Sequence, residues 1–398
     1  MLLLAYSQPL RRCEVEYQSI EDYRMRVMIL DDDPWISDLL KQLVLSIRPL
    51  AQVDCFIDVA SALEAWQPST YQLVMADWNL PDAPGVNLLQ TIREKDQSTP
   101  LIMITGRADR DSVLAVKSLR ISAFFTKPFQ VARVVQRLDA LLPLDEPSHA
   151  ITVNPEDLIS YLSGLSADEL DLPLLASVKN KLQLGYGGAP MDLRALANDW
   201  QYDPALCAHL IAAANGATYL GLGQPCTNLK GALTRLGGLT SVNLAISQAL
   251  RQANTQPDGM LMTFIQAHLA DAERLAERVI LLAQQCGLDA APLQSAALLH
   301  RMGEFCVLYH SQEWENQGNN LTEETLVDAL RIFAAPFAAR IKASWGLPMM
   351  LRKLIGAIFV LPSMQVCREQ VLMRLAAAMN NGEPEAAIER LRRLAGIA

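Results

Sequence analysis

The chain has 398 residues, of which 51% are hydrophobic, and a formal net charge of −9. That length exceeds one ordinary core and predicts two or three domains, while the acidic balance argues against nucleic acid or an anionic membrane as partner. Its seven cysteines are scattered without a C-x-x-C pair, which argues against a disulfide frame or zinc site and fits buried thiols of a reducing compartment.

Residues 1–24 are mixed and aperiodic, and read as a loose arm or an over-extended start. The opening Met1-Leu2-Leu3-Leu4-Ala5-Tyr6 lacks a basic flank and is too short for a signal-peptide core. No stretch approaches the roughly 18 uninterrupted apolar residues of a membrane span, so a soluble, cytoplasmic protein without a membrane partner is expected. From 26 to 142, short apolar runs alternate with amphipathic stretches. Strands are predicted at 26–31, 53–57, 72–77, 100–105 and 121–125, and helices at 34–47, 59–66, 85–95, 110–119 and 129–142. This alternation predicts a doubly wound, five-stranded parallel sheet with helices on both faces, spanning 25–142. Three prolines and several acids mark 143–157 as a linker. Residues 158–398 read as helix upon helix, with a strong helical period over Met260–Gln285 and a charged terminal helix over Glu385–Leu394. A break at 254–259 is a candidate subdivision of that half.

Polar residues stand at the ends of the predicted strands. Asp31 and Asp32 follow Val27-Met28-Ile29-Leu30, Asp77 ends Leu73-Val74-Met75-Ala76, and Thr105 ends Leu101-Ile102-Met103-Ile104. Lys127 follows Phe124-Phe125 closely. In a parallel sheet these five side chains meet at one edge, where α/β ligand sites lie. Phosphoryl transfer to a carboxylate needs a nucleophilic oxygen, a divalent cation and donors for the phosphoryl oxygens. Mg²⁺ fits a few carboxylates and retained waters. Asp31 and Asp32 would anchor the cation, Asp77 would be the nucleophile, and Thr105 and Lys127 would meet phosphoryl oxygens. Without metal, adjacent carboxylates repel and at least one pKa should rise. Separately, each feature has a plainer reading: Asp31-Asp32-Asp33 before Pro34 could simply cap a helix. Their order on successive strands favours a site.

These residues resemble the receiver domain of two-component response regulators, a flavodoxin-like fold, over about 25–142. The motifs are Leu30-Asp31-Asp32-Asp33-Pro34, Asp77-Trp78-Asn79-Leu80-Pro81, Ile104-Thr105-Gly106 and Lys127-Pro128-Phe129. The resemblance implies that Asp77 is phosphorylated, that Asp31 and Asp32 form the acidic pair, and that the Asn79 backbone carbonyl joins the Mg²⁺ shell. It makes Thr105 and Phe124 switch residues and Lys127 a phosphoryl partner, and it implies a cis Lys127-Pro128 peptide. For Phe124, ordinary core packing explains the residue as well. Pro84 stands where the family often has an Asp.

In the second half, Asp203-Pro204, Gly216, Gly237-Gly238, His300-Arg301 and Trp345-Gly346-Leu347-Pro348 resemble the HDOD domain, a relative of metal-dependent HD phosphohydrolases, over roughly 160–360. The metal-binding His-Asp doublet reads His300-Arg301, and arginine offers a metal no acceptor. Only His209, His268, His300 and His310 occur in this half, so a non-catalytic binding module is expected. The whole reads as a signalling protein: a sensor histidine kinase phosphorylates Asp77, and the receiver controls an HDOD module that binds an unidentified protein or ligand. Homodimerisation is a further route of output. The alternatives are a receiver-regulated cyclic-nucleotide phosphodiesterase or phosphohydrolase and a DNA-binding regulator. Arg390, Arg392 and Arg393 lie beside Glu383, Glu385 and Glu389, which disfavours the latter.

Overall fold

Five short segments form strands β1 (Arg26–Leu30), β2 (Gln52–Phe56), β3 (Leu73–Asp77), β4 (Leu101–Thr105) and β5 (Ala123–Thr126). The computed structural model describes residues 25–68, 70–106, 116–142, 157–183, 192–221, 223–252, 259–362 and 366–397. The strands are all parallel, in the order β2-β1-β3-β4-β5, as the alternating pattern predicts. Every residue of β3 and β4 is buried, which is why these strands read as unbroken rather than alternating apolar runs. The winding direction reverses between β1 and β3, the switch point where such sheets open a crevice.

Helices α1 (Pro34–Ile47), α2 (Val59–Ala65), α3 (Val86–Lys95) and α4 (Val131–Leu141) cover the two faces. Val27 and Ile29 of β1 pack with α1 and α4, while Met28 and Leu30 pack with α2 and α3. Each such fully buried side chain stabilises the fold by about 1.5–3 kcal/mol. Asp33 starts α1 by accepting the Trp35 N–H (3.0 Å), with Pro34 in the first turn. Strand β5 begins at Ala123 rather than Ile121, although the Ser122 N–H still bonds the Leu101 carbonyl (2.7 Å). The edge strand frays there into the preceding turn. The arm at 1–24, most of the linker and most of the helix expected at 110–119 lie outside the described residues.

Beyond the linker the described chain is helical. The helices are α5 (Leu158–Gly164), α6 (Ala176–Gln183), α7 (Leu193–Trp200), α8 (Pro204–Ala214), α9 (Ala217–Leu220), α10 (Leu229–Leu236) and α11 (Gly238–Arg251). There follow α12 (Gly259–Cys286), α13 (Ala290–Leu299), α14 (Met302–Asn316), α15 (Glu323–Ser344), α16 (Met349–Phe359), α17 (Arg368–Asn380) and α18 (Glu385–Ala395). One hydrophobic core runs from Leu158 to Ala395, on both sides of 253–258. Helix α8 is buried all round, which explains its apolar sequence without a polar face. Asp203 anchors it, accepting N–H groups of Leu206 (2.9 Å) and Leu175 (2.8 Å). Trp345 closes α15, and Gly346, at φ +62°, turns the chain toward α16.

The two halves meet along α1 and α11. The Asp38 carboxylate pairs with Arg251 (2.6 Å) and accepts the Ser247 hydroxyl (2.9 Å). The buried Asn243 side chain donates to the Phe129 carbonyl (2.8 Å). Trp35 meets the second core, its ring edge-on to His209 at 4.4 Å, with Trp345 on the same imidazole at 5.8 Å. A Cβ at Gly216 would lie 3.2 Å from the Ala213 carbonyl oxygen and in ordinary contact with this indole, 3.5 Å from its Nε1.

Burial, reinforced by the Arg251 charge, pushes the His209 pKa down to about 3. Between pH 6.5 and 3 the unfolded chain therefore binds a proton that the folded chain refuses, so stability falls as pH drops below about 6.5. The slope is up to ~1.4 kcal/mol per pH unit. His209→Gln should flatten this profile: between pH 7 and 5 the thermal midpoint should fall less in the variant than in wild type. Equal falls would contradict a neutral, buried His209.

Candidate functional site

Asp31 and Asp77 emerge from neighbouring strands β1 and β3 at the switch point. Both are buried, while Asp32 is exposed at the rim. Oxygens of the three carboxylates lie within 4.8 Å of one another, the one such group of potential metal donors among the described residues. Lys127 arrives from the end of β5, and its ammonium bonds Asp31 Oδ2 (2.6 Å) and Asp77 Oδ2 (2.8 Å). The donor set is hard oxygen, with one exposed carboxylate open to water, which fits a Mg²⁺-like cation.

Burial, only partly offset by Lys127, pushes the Asp31 pKa up to about 7. Burial also raises Asp32. A raised carboxylate was expected from mutual repulsion, but repulsion from Asp77 is the smaller cause in both. Burial opposes the Lys127 charge too, yet Asp31 and Asp77 outweigh it and hold that pKa above the ordinary lysine value.

The remaining predicted residues stand around this cluster. Thr105 is fully buried at the end of β4, and its carbonyl accepts the Lys127 N–H (2.7 Å). Asn79 is exposed and donates its backbone N–H to Asp77 Oδ1 (3.3 Å). Phe124 is half-buried on β5 and packs against the core under α2 and α3. The Lys127-Pro128 peptide is cis, as the motif implies. Gly85 passes so close to Asp77 that a Cβ there would lie 1.9 Å from the Asp77 carbonyl oxygen. Asp82, which sequence reasoning missed, accepts the N–H groups of Val59 (3.0 Å) and Ala60 (3.2 Å) and ties the β3–α3 loop to α2.

In the helical half, Arg301 is not free. Its guanidinium donates to Asp271 Oδ2 through Nη2 (2.6 Å) and Nε (2.9 Å), and to Glu304 (2.7 Å). Asn380 also donates to Asp271 (2.9 Å), and His300 Nε2 lies 3.6 Å from it. Hydrogen bonding from His300, then from Arg301, holds Asp271 well below the usual carboxylate range. Sequence reasoning missed Asp271, although its place three residues after His268 on α12 puts both on one helix face. His310 accepts the Asp171 N–H (3.2 Å) and pairs with Glu313 (2.8 Å), and His209 lies at the interface with α1.

Lys127→Ala would leave Asp31 and Asp77 buried without their cation, a loss of about 2 kcal/mol after allowance for the partial exposure of the lysine. Millimolar Mg²⁺ should raise the thermal midpoint of this variant more than that of wild type. A variant indifferent to Mg²⁺ would contradict the fit of a cation to these carboxylates.

Comparison with known proteins agrees with this geometry. Residues 27–139 match the response regulator receiver domain family, and residues 172–358 match the HDOD domain family. The chain is 27% identical over 128 residues to chemotaxis protein CheY-3 of Vibrio cholerae, a match covering 31% of this chain and 96% of that protein. It is 29% identical over 159 residues to response regulator protein TodT of Pseudomonas putida, covering 39% and 68%. Among solved structures, the non-phosphorylated HemR receiver domain from Leptospira biflexa matches at 25% identity and a TM-score of 0.29, covering 32% of this chain and 100% of that one. No described helix is long and apolar enough to cross a membrane. The chain joins an N-terminal response regulator receiver domain to a C-terminal HDOD domain, an architecture of two-component signalling.

Proposed function

We propose that Asp77 accepts a phosphoryl group from a sensor histidine kinase and that the receiver thereby controls a non-catalytic HDOD output module. The observation that carries this reading is the gathering of Asp31, Asp32 and Asp77 within 4.8 Å, with the Lys127 ammonium bonded to two of them. Bound Mg²⁺, held by Asp31, Asp32, Asp77 and the Asn79 carbonyl, would supply charge neutralisation for the phosphoryl oxygens. An Asp77 carboxylate oxygen attacks phosphorus, the phosphorus–nitrogen bond of the phosphohistidine breaks, and the imidazole leaves and takes up a proton. Lys127, already beside Asp77, is placed to turn its ammonium toward the new phosphoryl group. Thr105, at the end of the adjacent strand, offers its hydroxyl to another phosphoryl oxygen, and Phe124 responds as an aromatic switch.

For the HDOD half, Arg301 supports a binding role rather than hydrolysis. Its fixed positive charge lies between Asp271 and Glu304, carboxylates that a divalent cation would otherwise need. The partner is a protein or ligand held by this module, with homodimerisation a second possible output.

Incubation of the full chain with acetyl phosphate and Mg²⁺ should add one phosphoryl group to wild type and none to Asp77→Ala by intact mass. No adduct in wild type, or an equal adduct in the variant, overturns the assignment. With Mn²⁺ or Fe²⁺, the chain should turn over no cyclic dinucleotide. Stoichiometric bound metal together with turnover would instead establish the phosphodiesterase alternative.

A further inference from the structure

The HDOD half reaches both shoulders of the acidic site. One shoulder is the β1–α1 loop. There the Asp33 N–H donates to Asp31 Oδ1 (3.1 Å), and the Asp33 carboxylate holds the Trp35 N–H. The Trp35 indole is seated between α8 and α9, against His209 and above Gly216. The other shoulder is the stretch after β5. Lys127 bonds Asp31 and Asp77, and two residues on, the Phe129 carbonyl accepts from the buried Asn243 side chain of α11. Between the shoulders, Asp38 of α1 takes Arg251 and Ser247 from the same helix. Arg251 Nε also faces the fully enclosed Asp171 at 3.7 Å, so the link continues into the HDOD core.

We propose that Asn243 is a positioning residue for the receiver's acidic site, so that docking of the HDOD domain and loading of a divalent cation on Asp31, Asp32 and Asp77 oppose each other. The reason lies in what the docked surface fits. It holds Asp33 and Phe129 where they stand when Lys127, not a cation, neutralises Asp31 and Asp77. Asp31, Asp32 and Asp77 would hold a divalent cation only if the Lys127 ammonium yielded at Asp31, and the Asp33 backbone bonded to Asp31 would have to follow that carboxylate. Phe129 would then move off Asn243, or the cation would bind against the resistance of that contact. By linkage, the hindrance that docking imposes on the cation equals the loosening that the cation imposes on docking. The inference deepens the signalling function above, because it makes this contact the element that the receiver's chemistry switches, although cation coupling does not itself require phosphorylation.

Calorimetric titration of the full chain with Mg²⁺ tests the coupling. Asn243→Ala and Ser247→Ala should each bind Mg²⁺ about fivefold more tightly than wild type, the low end of common coupling strengths. Unchanged or weaker binding in folded variants overturns the proposal. Should the substitutions prevent folding, wild type alone decides: Mg²⁺ should speed amide hydrogen exchange in α11 and in the first turn of α1, and unchanged or slower exchange there overturns it. Intact mass after acetyl phosphate treatment is read in parallel. Loss of the Mg²⁺ effect with phosphorylation intact rejects the coupling alone, whereas the reverse pattern rejects Asp77 phosphorylation alone.

Discussion

The Lys127 ammonium, held between Asp31 and Asp77, is the interaction on which the rest depends. Parallel strands bring three carboxylates to one sheet edge, and a low-dielectric edge does not tolerate such a gathering without positive charge. The lysine meets that need from the end of β5. It does so with a long, flexible point charge that can release one carboxylate and keep the other. Asp31, pushed up to about 7 by burial, shows how incompletely the lysine relieves the site. A divalent cation would relieve it further. A divalent cation at this edge would compete with the lysine for the same oxygens.

The helical half holds a contrasting arrangement. Arg301 also lies among carboxylates, but its planar fork grips Asp271 through two nitrogens and Glu304 through a third. Asn380 and His300 fill the space that remains around Asp271. A guanidinium with so many fixed donors is an anchor rather than an exchangeable charge. One half thus carries a lysine shared between two carboxylates, and the other an arginine locked among several partners. Between them lies a contact made of a tryptophan, an asparagine and an aspartate–arginine pair.

Much of the receiver was legible in the sequence because β1, β3 and β4 are buried on both faces and so appear as unbroken apolar runs. A polar residue ends or directly follows each of these three at the sheet edge. The gathering of Asp31, Asp77 and Lys127 follows from parallel strands alone, and the short motifs around them add specificity. Less legible was the cause of the raised carboxylate pKa, since burial depth depends on packing rather than on residue order. The interdomain contact was not legible. Trp35, Asp38, Asn243, Ser247 and Arg251 read individually as ordinary helix-surface residues, and the Ser247–Asp38 partners are 209 positions apart. Asp271 was within reach, since its helical spacing from His268 places both on one face.

On the proposed function Asp77, and not a neighbouring carboxylate, takes the phosphoryl group. Borohydride reduces an acyl phosphate to an alcohol, so an aspartyl phosphate becomes homoserine and marks its own position. After treatment with acetyl phosphate and Mg²⁺, reduction and tandem mass spectrometry of peptides covering Asp31, Asp32 and Asp77 should find homoserine at position 77 alone. Homoserine at 31 or 32, or at none of the three, would contradict the assignment.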